Sequence, residues 1–204
     1  MRRLLAAGLL ASVLTAPLTA AHAAIAPDAL VNQTTEKVLV ALKDNKERLG
    51  SDPSFVYKLV DDLVLPHFDF EAMSRLVLGR YWNQASEAQR KSFVAAFRTL
   101  LVRTYAGSLN RYTDQQIVLL PLREDGKGEE VTVRSEIRQG GGPAIPIDYR
   151  MRRSGEQWKV FDVSVDGISL VTNYRSSFSQ QIQRSGLDAL IAQLETRNKD
   201  AGSR

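Results

Sequence analysis

The sequence of 204 residues contains no cysteine and only two histidines. Without cysteine the chain has no disulfide framework, thiolate metal site, iron-sulfur cluster or cysteine nucleophile, and two histidines do not make a histidine-rich metal site. An excess of one charge is also lacking, because 27 Lys and Arg stand against 23 Asp and Glu. What is present, 44% hydrophobic residues with 13 Gly and 7 Pro, is the composition of one ordinary folded domain.

The first residues have the form of a signal peptide. Arg2 and Arg3 precede an uncharged, mainly apolar run at 4–16, and residues 21–23 read Ala-His-Ala, the small-x-small motif that signal peptidase cleaves. A membrane anchor is the alternative, but 13 residues fall short of the roughly 20 that a spanning helix needs. The sequence therefore predicts a signal peptide at residues 1–23, with cleavage after Ala23.

Removal of the predicted signal peptide lowers the net positive charge of the chain. Residues 1–23 contain two Arg and no acidic residue, so the remaining chain carries 25 positive and 23 negative charges. A net charge of +2 gives no support to nucleic-acid binding. An exported chain that lacks a lipid-modified cysteine, and that has no later stretch apolar enough to span a membrane, is predicted to be a periplasmic protein.

Apolar residues recur with a helical period through the first half of the chain and again near its end. Proline and capping residues, among them the pair Ser86 and Gln89 with the spacing of a capping box, mark the helix starts. The predicted helices are 27–49, one from Pro53 that Pro66 ends, a short one after Asp69, a long one at about 87–112, one after Gly167 and a last one that carries Leu187 to Leu194.

Between these helices the period changes to two, which is typical of half-buried strands. Four strands are predicted, at 116–122, 131–138, 145–152 and 158–166, joined by loops short enough for antiparallel neighbours. The predicted fold class is α+β, with helices flanking a curved, mainly antiparallel four-stranded sheet. The predicted domain spans residues 24–197, and residues 198–204 form a polar tail.

Few residues suggest catalysis. His67 lies where a helix ends and could act as a general base, and Asp162, Asp166 and Ser169 could be drawn with it as a triad. The sequence favours a structural role for these residues, because helix junctions commonly hold histidine, strand aspartates often bond to loop amides, and the chain has no nucleophile-elbow pattern. It also lacks the dinucleotide, Walker and zincin motifs, so no cofactor and no metal are predicted.

Apolar and aromatic residues are concentrated on the long helix, the strands and the helix after Gly167. A packed core explains each of them singly, whereas a curved sheet covered by long helices is also a usual place for an apolar ligand. Both interpretations stay open at this point. The aromatic members of the set are Phe93, Phe97, Tyr105, Tyr149, Phe161, Tyr174 and Phe178.

The order of residues resembles the MlaC, or toluene-tolerance, family of periplasmic phospholipid-binding proteins. The resemblance covers about residues 27–194. It is carried by residues 76–82, Gln89, Phe93, Phe97, Tyr105 and Tyr112 in the first half, and by Val131, Val133, Asp148, Tyr149, Trp158, Asp162, residues 166–170, Tyr174, Arg175 and Phe178 in the second.

The resemblance implies that the fold is an NTF2-like cone that encloses an apolar cavity, and that the protein is a soluble carrier without catalytic activity. Such a carrier would move a phospholipid between an outer-membrane lipoprotein-porin complex and an inner-membrane ABC transporter, the Mla complexes, and so maintain the lipid asymmetry of the outer membrane. A lipid with about 30 chain methylenes at roughly 0.8 kcal/mol each would lose about 24 kcal/mol of apolar stabilisation in water, so its chains need deep cover.

Alternation and helical spacing, aided by the resemblance, predict which residues contact the acyl chains: Phe97, Leu101 and Tyr105 on the long helix, Ile145, Ile147 and Tyr149 on one strand face, and Ile168 and Val171 after Gly167. Two competing hypotheses remain. One is an enzyme on a similar fold that uses Asp162 or His67 as a base on a small apolar substrate, and the other is a carrier of another lipid or apolar compound.

Overall fold

Helices flank an antiparallel sheet in the computed structural model, which describes residues 25–49, 51–111, 115–123 and 128–200. The predicted signal peptide lies outside the described residues. The elements are α1 (Pro27–Asp44), α2 (Pro53–Leu63), α3 (Phe70–Leu78), α4 (Arg80–Gln84), α5 (Glu87–Tyr105), β1 (Gln116–Leu119), β2 (Glu130–Arg138), β3 (Ile145–Ser154), β4 (Gln157–Val165), β5 (Ile168–Ser169), α6 (Leu170–Ser185) and α7 (Leu187–Asp200).

Local hydrogen bonds fix the helix starts. The predicted capping box is confirmed: the Ser86 hydroxyl accepts from the Gln89 amide at 3.1 Å, and the Gln89 side chain accepts from the Ser86 amide at 2.9 Å. The Asp69 carboxylate accepts from the Ala72 amide at 2.8 Å and caps α3. These bonds satisfy amides that a helix start leaves without partners.

Two helices are shorter than predicted, and each passes into a 3₁₀ turn. Helix α1 ends at Asp44, because the Asn45 side chain donates to the Ala41 carbonyl at 2.9 Å and breaks the helical path before the turn Lys46–Arg48. The long α5 ends at Tyr105 and continues as the 3₁₀ helix Ala106–Arg111. A third 3₁₀ helix, Leu65–His67, follows α2.

The sheet has the order β1-β2-β3-β4-β5, with every neighbouring pair antiparallel. The four predicted strands are confirmed in this order, and the α+β class with a curved antiparallel sheet is confirmed with them. The fifth strand was not predicted, since it is only two residues long and follows a tight turn. In that turn Asp166 and Gly167 both have positive φ, 50° and 76°, which glycine adopts without strain and aspartate tolerates.

The end of the chain differs from the predicted polar tail. Helix α7 continues to Asp200, because the Asn198 side chain is buried and donates to the Ala96 carbonyl of α5 at 2.9 Å. Residues 201–204 lie outside the described part of the chain. None of the described helices is both long enough and apolar enough to cross a membrane.

Candidate ligand-binding site

One face of the sheet forms an apolar wall. Val133 on β2, Tyr149 on β3 and Val163 on β4 lie side by side in the register, so their side chains share a face. Two of the predicted lining residues, Ile145 and Ile147, lie on the same face of β3. We call this group the sheet cluster; its buried members are Val31, Val131, Val133, Ile147, Met151, Trp158, Val160 and Val163.

The helices form a second apolar wall. Predicted lining residues Phe97 and Leu101 on α5 are buried here, together with Val171 in the first turn of α6. The Phe97 ring packs edge-on against Tyr174 and Phe178 of α6, with ring centres 5.3 and 6.1 Å apart. We call this group the helix cluster; its other buried members are Met73, Val77, Leu78, Trp82, Phe93, Ala96, Leu100, Phe178, Ile182, Leu190, Ile191 and Leu194.

The two walls are separate clusters. No strand residue of the described chain belongs to the helix cluster, and Phe68 is the one partly buried apolar residue of the described chain that packs against both. The start of α6 lies at the boundary, because Leu170 packs against the sheet cluster while Val171 belongs to the helix cluster. A folded domain of this size usually has one contiguous core, so apolar walls that stay apart are what a site between them requires.

Two predicted lining residues lie at the protein surface. Tyr105, the last residue of α5, is 39% exposed, and Ile168 on β5 is 62% exposed. Burial, followed by the neighbouring Tyr174 hydroxyl, raises the pKa of Tyr105 to about 12. A tyrosine, which combines an apolar ring with a polar hydroxyl, suits a boundary between apolar surface and water.

The sheet wall also holds a polar group that sequence reasoning missed. Ser135 is completely buried on the inner face of β2, where its hydroxyl donates to the Ile147 carbonyl at 3.4 Å. Burial raises the pKa of Tyr149, and the nearby Ser135 hydroxyl opposes that rise. The alternation on β2 predicts that residue 135 faces the inside of the protein. It does not explain why this position is occupied by a serine.

The residues suspected of catalysis do not form a triad. Asp162 is 2% exposed, and its carboxylate accepts hydrogen bonds from the Ser169 hydroxyl at 2.7 Å and the Val171 amide at 3.1 Å. The Ser169 oxygen in turn accepts from the Thr172 amide at 3.0 Å and caps α6. Both carboxylate oxygens therefore hold the start of a helix.

His67 lies apart from Asp162, in the 3₁₀ helix before α3. Burial lowers its pKa, and the positive charges of Lys159 and Lys37 lower it further. Lys159 is held beside it by a hydrogen bond from its ammonium group to the Pro66 carbonyl, 2.6 Å long. Burial and the two positive charges both favour the neutral form of the imidazole.

A depression lies along α1, away from the two walls. Its volume is about 690 Å³, and Val40 is its exposed apolar residue. Glu36, Lys37 and Asp44 also line it, so the depression does not provide the apolar cover that an acyl chain needs. No group of three or more potential metal ligands occurs within the described residues.

The fold itself defines a class of α+β proteins in which helices flank an open, curved antiparallel sheet. The structure of a phospholipid-binding protein from Ralstonia solanacearum, solved in complex with a phospholipid, superimposes with a TM-score of 0.79. It is 31% identical in sequence, and the match covers 86% of this chain and 98% of that one.

The sequence comparisons agree with the structural one. Residues 32–196 match the family model of the MlaC protein. The chain is 29% identical to the intermembrane phospholipid transport system binding protein MlaC of Haemophilus influenzae, over 92% of this chain and 90% of that protein. It is 30% identical to the toluene tolerance protein ttg2D of Pseudomonas putida, over 92% and 87% of the two chains. The chain belongs to the MlaC family.

Proposed function

We propose that this protein is a periplasmic phospholipid carrier. It holds the acyl chains between the sheet cluster and the helix cluster, and it moves the lipid between an outer-membrane lipoprotein-porin complex and an inner-membrane ABC transporter. The signal peptide at residues 1–23 directs its export. The observation that carries the proposal is the fold shared with a protein from Ralstonia solanacearum whose structure contains a phospholipid.

The two apolar walls support this function physically. Ile145, Ile147 and Tyr149 present one apolar surface, and Phe97, Leu101 and Val171 present the other. Acyl chains placed between them are removed from water, at roughly 0.8 kcal/mol for each methylene. The more exposed Tyr105 and Ile168 then lie at the mouth, where the glycerol and headgroup meet water.

The two candidate bases are poorly suited to catalysis. The Asp162 carboxylate accepts two hydrogen bonds from the start of α6, so it serves the fold. Burial and the neighbouring lysines lower the pKa of His67, which makes its imidazole a weaker general base. We therefore propose that the protein binds its ligand without chemical change.

Extraction of the purified, exported protein with organic solvent, followed by mass spectrometry, tests the proposal. We expect about one phospholipid for each protein molecule, and we expect the protein to begin at Ala24. A periplasmic protein of similar size, purified in the same way, controls for lipid carried over from membranes. A protein without phospholipid contradicts the carrier hypothesis, and an extract that contains another apolar compound favours a different cargo.

A further inference from the structure

Helices α4 and α6 carry basic residues without any acidic one. Helix α4 contains Arg80, and α6 contains Arg175 and Arg184, whereas neither helix has an Asp or a Glu. The chain after residue 23 is nearly balanced in charge, with 25 positive and 23 negative residues. Positive charge is therefore segregated onto this part of the surface, although like charges placed together cost stability.

The packing of α4 on α6 brings these cations together. Hydrogen bonding, first from Arg80 and then from Gln183 and Ser179 of α6, lowers the pKa of Tyr81, so the Tyr81 hydroxyl faces α6. One turn earlier along α6, the Arg175 guanidinium lies against the backbone of Gly79, which has a φ of 53°. A Cβ atom at Gly79 would come within 3.1 Å of the Arg175 Nη2 atom. Glycine at this corner thus makes room for the arginine.

The guanidinium groups are held in place, yet their donors are not used up. The Arg80 Nη2 donates to the Tyr81 hydroxyl at 2.9 Å, and the guanidinium lies 4.9 Å from the centre of that ring. Arg175 is exposed and has no hydrogen bond or ion pair with the described residues. Glu71, the acid of α3, is already paired with Arg75 at 2.9 Å.

We propose that this surface, which we call the arginine corner and define by Arg80 and Arg175, docks on carboxylates of an acidic protein surface in the transport system. The inference rests on the proposed function, because a carrier must collect and deliver its lipid at membrane complexes.

The use of arginine rather than lysine on this surface favours a protein partner over a membrane. Helices α3, α4 and α6 contain four arginines and no lysine. A guanidinium fork matches a carboxylate with two parallel hydrogen bonds, and protein interfaces are enriched in arginine and poor in lysine. An anionic membrane surface attracts either residue without directional preference.

The test uses the lipid-loaded protein and the purified inner-membrane ABC transporter complex and outer-membrane lipoprotein-porin complex of the same organism. The variant is Arg80→Glu with Arg175→Glu, and Arg80→Ala with Arg175→Ala is a milder second variant. The control, Lys43→Glu with Lys46→Glu, makes the same change of charge at exposed positions beside α1. Binding is measured by biolayer interferometry, lipid content by mass spectrometry and folding by circular dichroism.

We expect the Glu variant to weaken binding to at least one complex by tenfold or more, on the order of the coupling seen for close charge pairs. The Ala variant should weaken it less, and the control should stay within about twofold of the unchanged protein, as for a charge outside the interface. Lipid content should be unchanged in all of them. Absence of lipid from the unchanged protein would count against the proposed function. Because lipid content and binding are measured separately, that result is distinguishable from a failure of the arginine corner.

Two results would overturn the arginine corner. One is full affinity of the Glu variant for both complexes. The other is a loss confined to vesicles of phosphatidylcholine with phosphatidylglycerol, relative to phosphatidylcholine alone, which would make the corner a membrane contact.

Discussion

The Ser169 hydroxyl donates a hydrogen bond to the Asp162 carboxylate at 2.7 Å and so joins the first residue before α6 to the neighbouring strand β4. The other oxygen of Asp162 accepts from the Val171 amide, at the point where α6 enters the helix cluster. This carboxylate therefore positions the helix that contributes to both apolar walls, and its role is structural.

Replacing Asp162 with Asn should destabilise the protein and leave its lipid in place. The amide substitutes an NH₂ group for one acceptor oxygen, so a buried donor loses its partner, at a cost of about 1–3 kcal/mol. Urea unfolding gives the free energy, and mass spectrometry gives the lipid content. Asp148→Asn, on the neighbouring strand β3, is the matched control, because the Asp148 side chain makes no hydrogen bond with the described residues. A folded Asp162→Asn protein without lipid would place Asp162 in the binding site.

The pKa of His67 predicts a particular dependence of stability on pH. Its value in the folded protein is lowered from 6.5, first by burial and then by Lys159 and Lys37. The unfolded chain thus takes up a proton before the folded protein does, so this contribution to stability is complete above pH 6.5 and is lost as pH falls below it. The free energy of unfolding, measured with urea between pH 7.5 and 5, should fall more steeply with decreasing pH for the unchanged protein than for His67→Gln. Parallel curves throughout would refute the shift, and both proteins should retain lipid.

A charge on the sheet wall distinguishes a ligand site from a packed core. We expect Ile145→Glu to expel the lipid while the protein stays folded, because a partly exposed position lets the carboxylate reach water. Met151→Glu, on the same strand face but 0% exposed, should unfold the protein or greatly lower its melting temperature. Lipid content and melting temperature are measured on both variants. An Ile145→Glu protein with its full lipid content would remove this strand face from the site.

The two exposed apolar side chains at the proposed mouth should control lipid release. Tyr105→Ala and Ile168→Ala each remove a partial contact worth about 1 kcal/mol, which corresponds to a roughly fivefold faster release. Transfer of a fluorescent phospholipid from the protein to acceptor vesicles measures the rate. Val40→Ala on α1, 56% exposed and outside both walls, serves as the control. Equal rates for all three variants would show that Tyr105 and Ile168 do not line the exit.

Local patterns were enough to predict most of the fold. Capping residues such as Ser86 and Asp69, and the change of period from 3.6 to two, act over a few residues and can be recognised in a single sequence. The two-residue β5 has no periodicity of its own, and its pairing with β4 depends on the Asp166-Gly167 turn. Where a segment lacks such local signals, the bounds of its helices and strands cannot be predicted from the sequence.

Contacts between distant residues could not be predicted. Asn198 looks like part of a polar tail until the structure brings it to the Ala96 carbonyl, 102 residues earlier in the chain. The sequence alone is compatible with a triad of Asp162, Ser169 and His67. The structure shows instead that Asp162 and Ser169 bond to each other at the start of α6, whereas His67 lies beside lysines. The lining residues illustrate the same limit. Alternation predicts that Ile147 is buried and helical spacing predicts the same for Phe97, but neither pattern predicts that the two residues belong to different clusters.

That separation has a consequence for cooperativity. Buried contacts shared between two parts of a protein are what make them unfold together, and here Phe68 is the one partly buried apolar residue of the described chain that packs against both clusters. A phospholipid between the walls would supply the missing contacts and act as a third part of the core. Without its lipid, the protein should then unfold over a broader range of urea concentrations than the lipid-loaded protein, and it should bind hydrophobic dyes more readily. On this view the cargo determines how far the sheet cluster and the helix cluster unfold together.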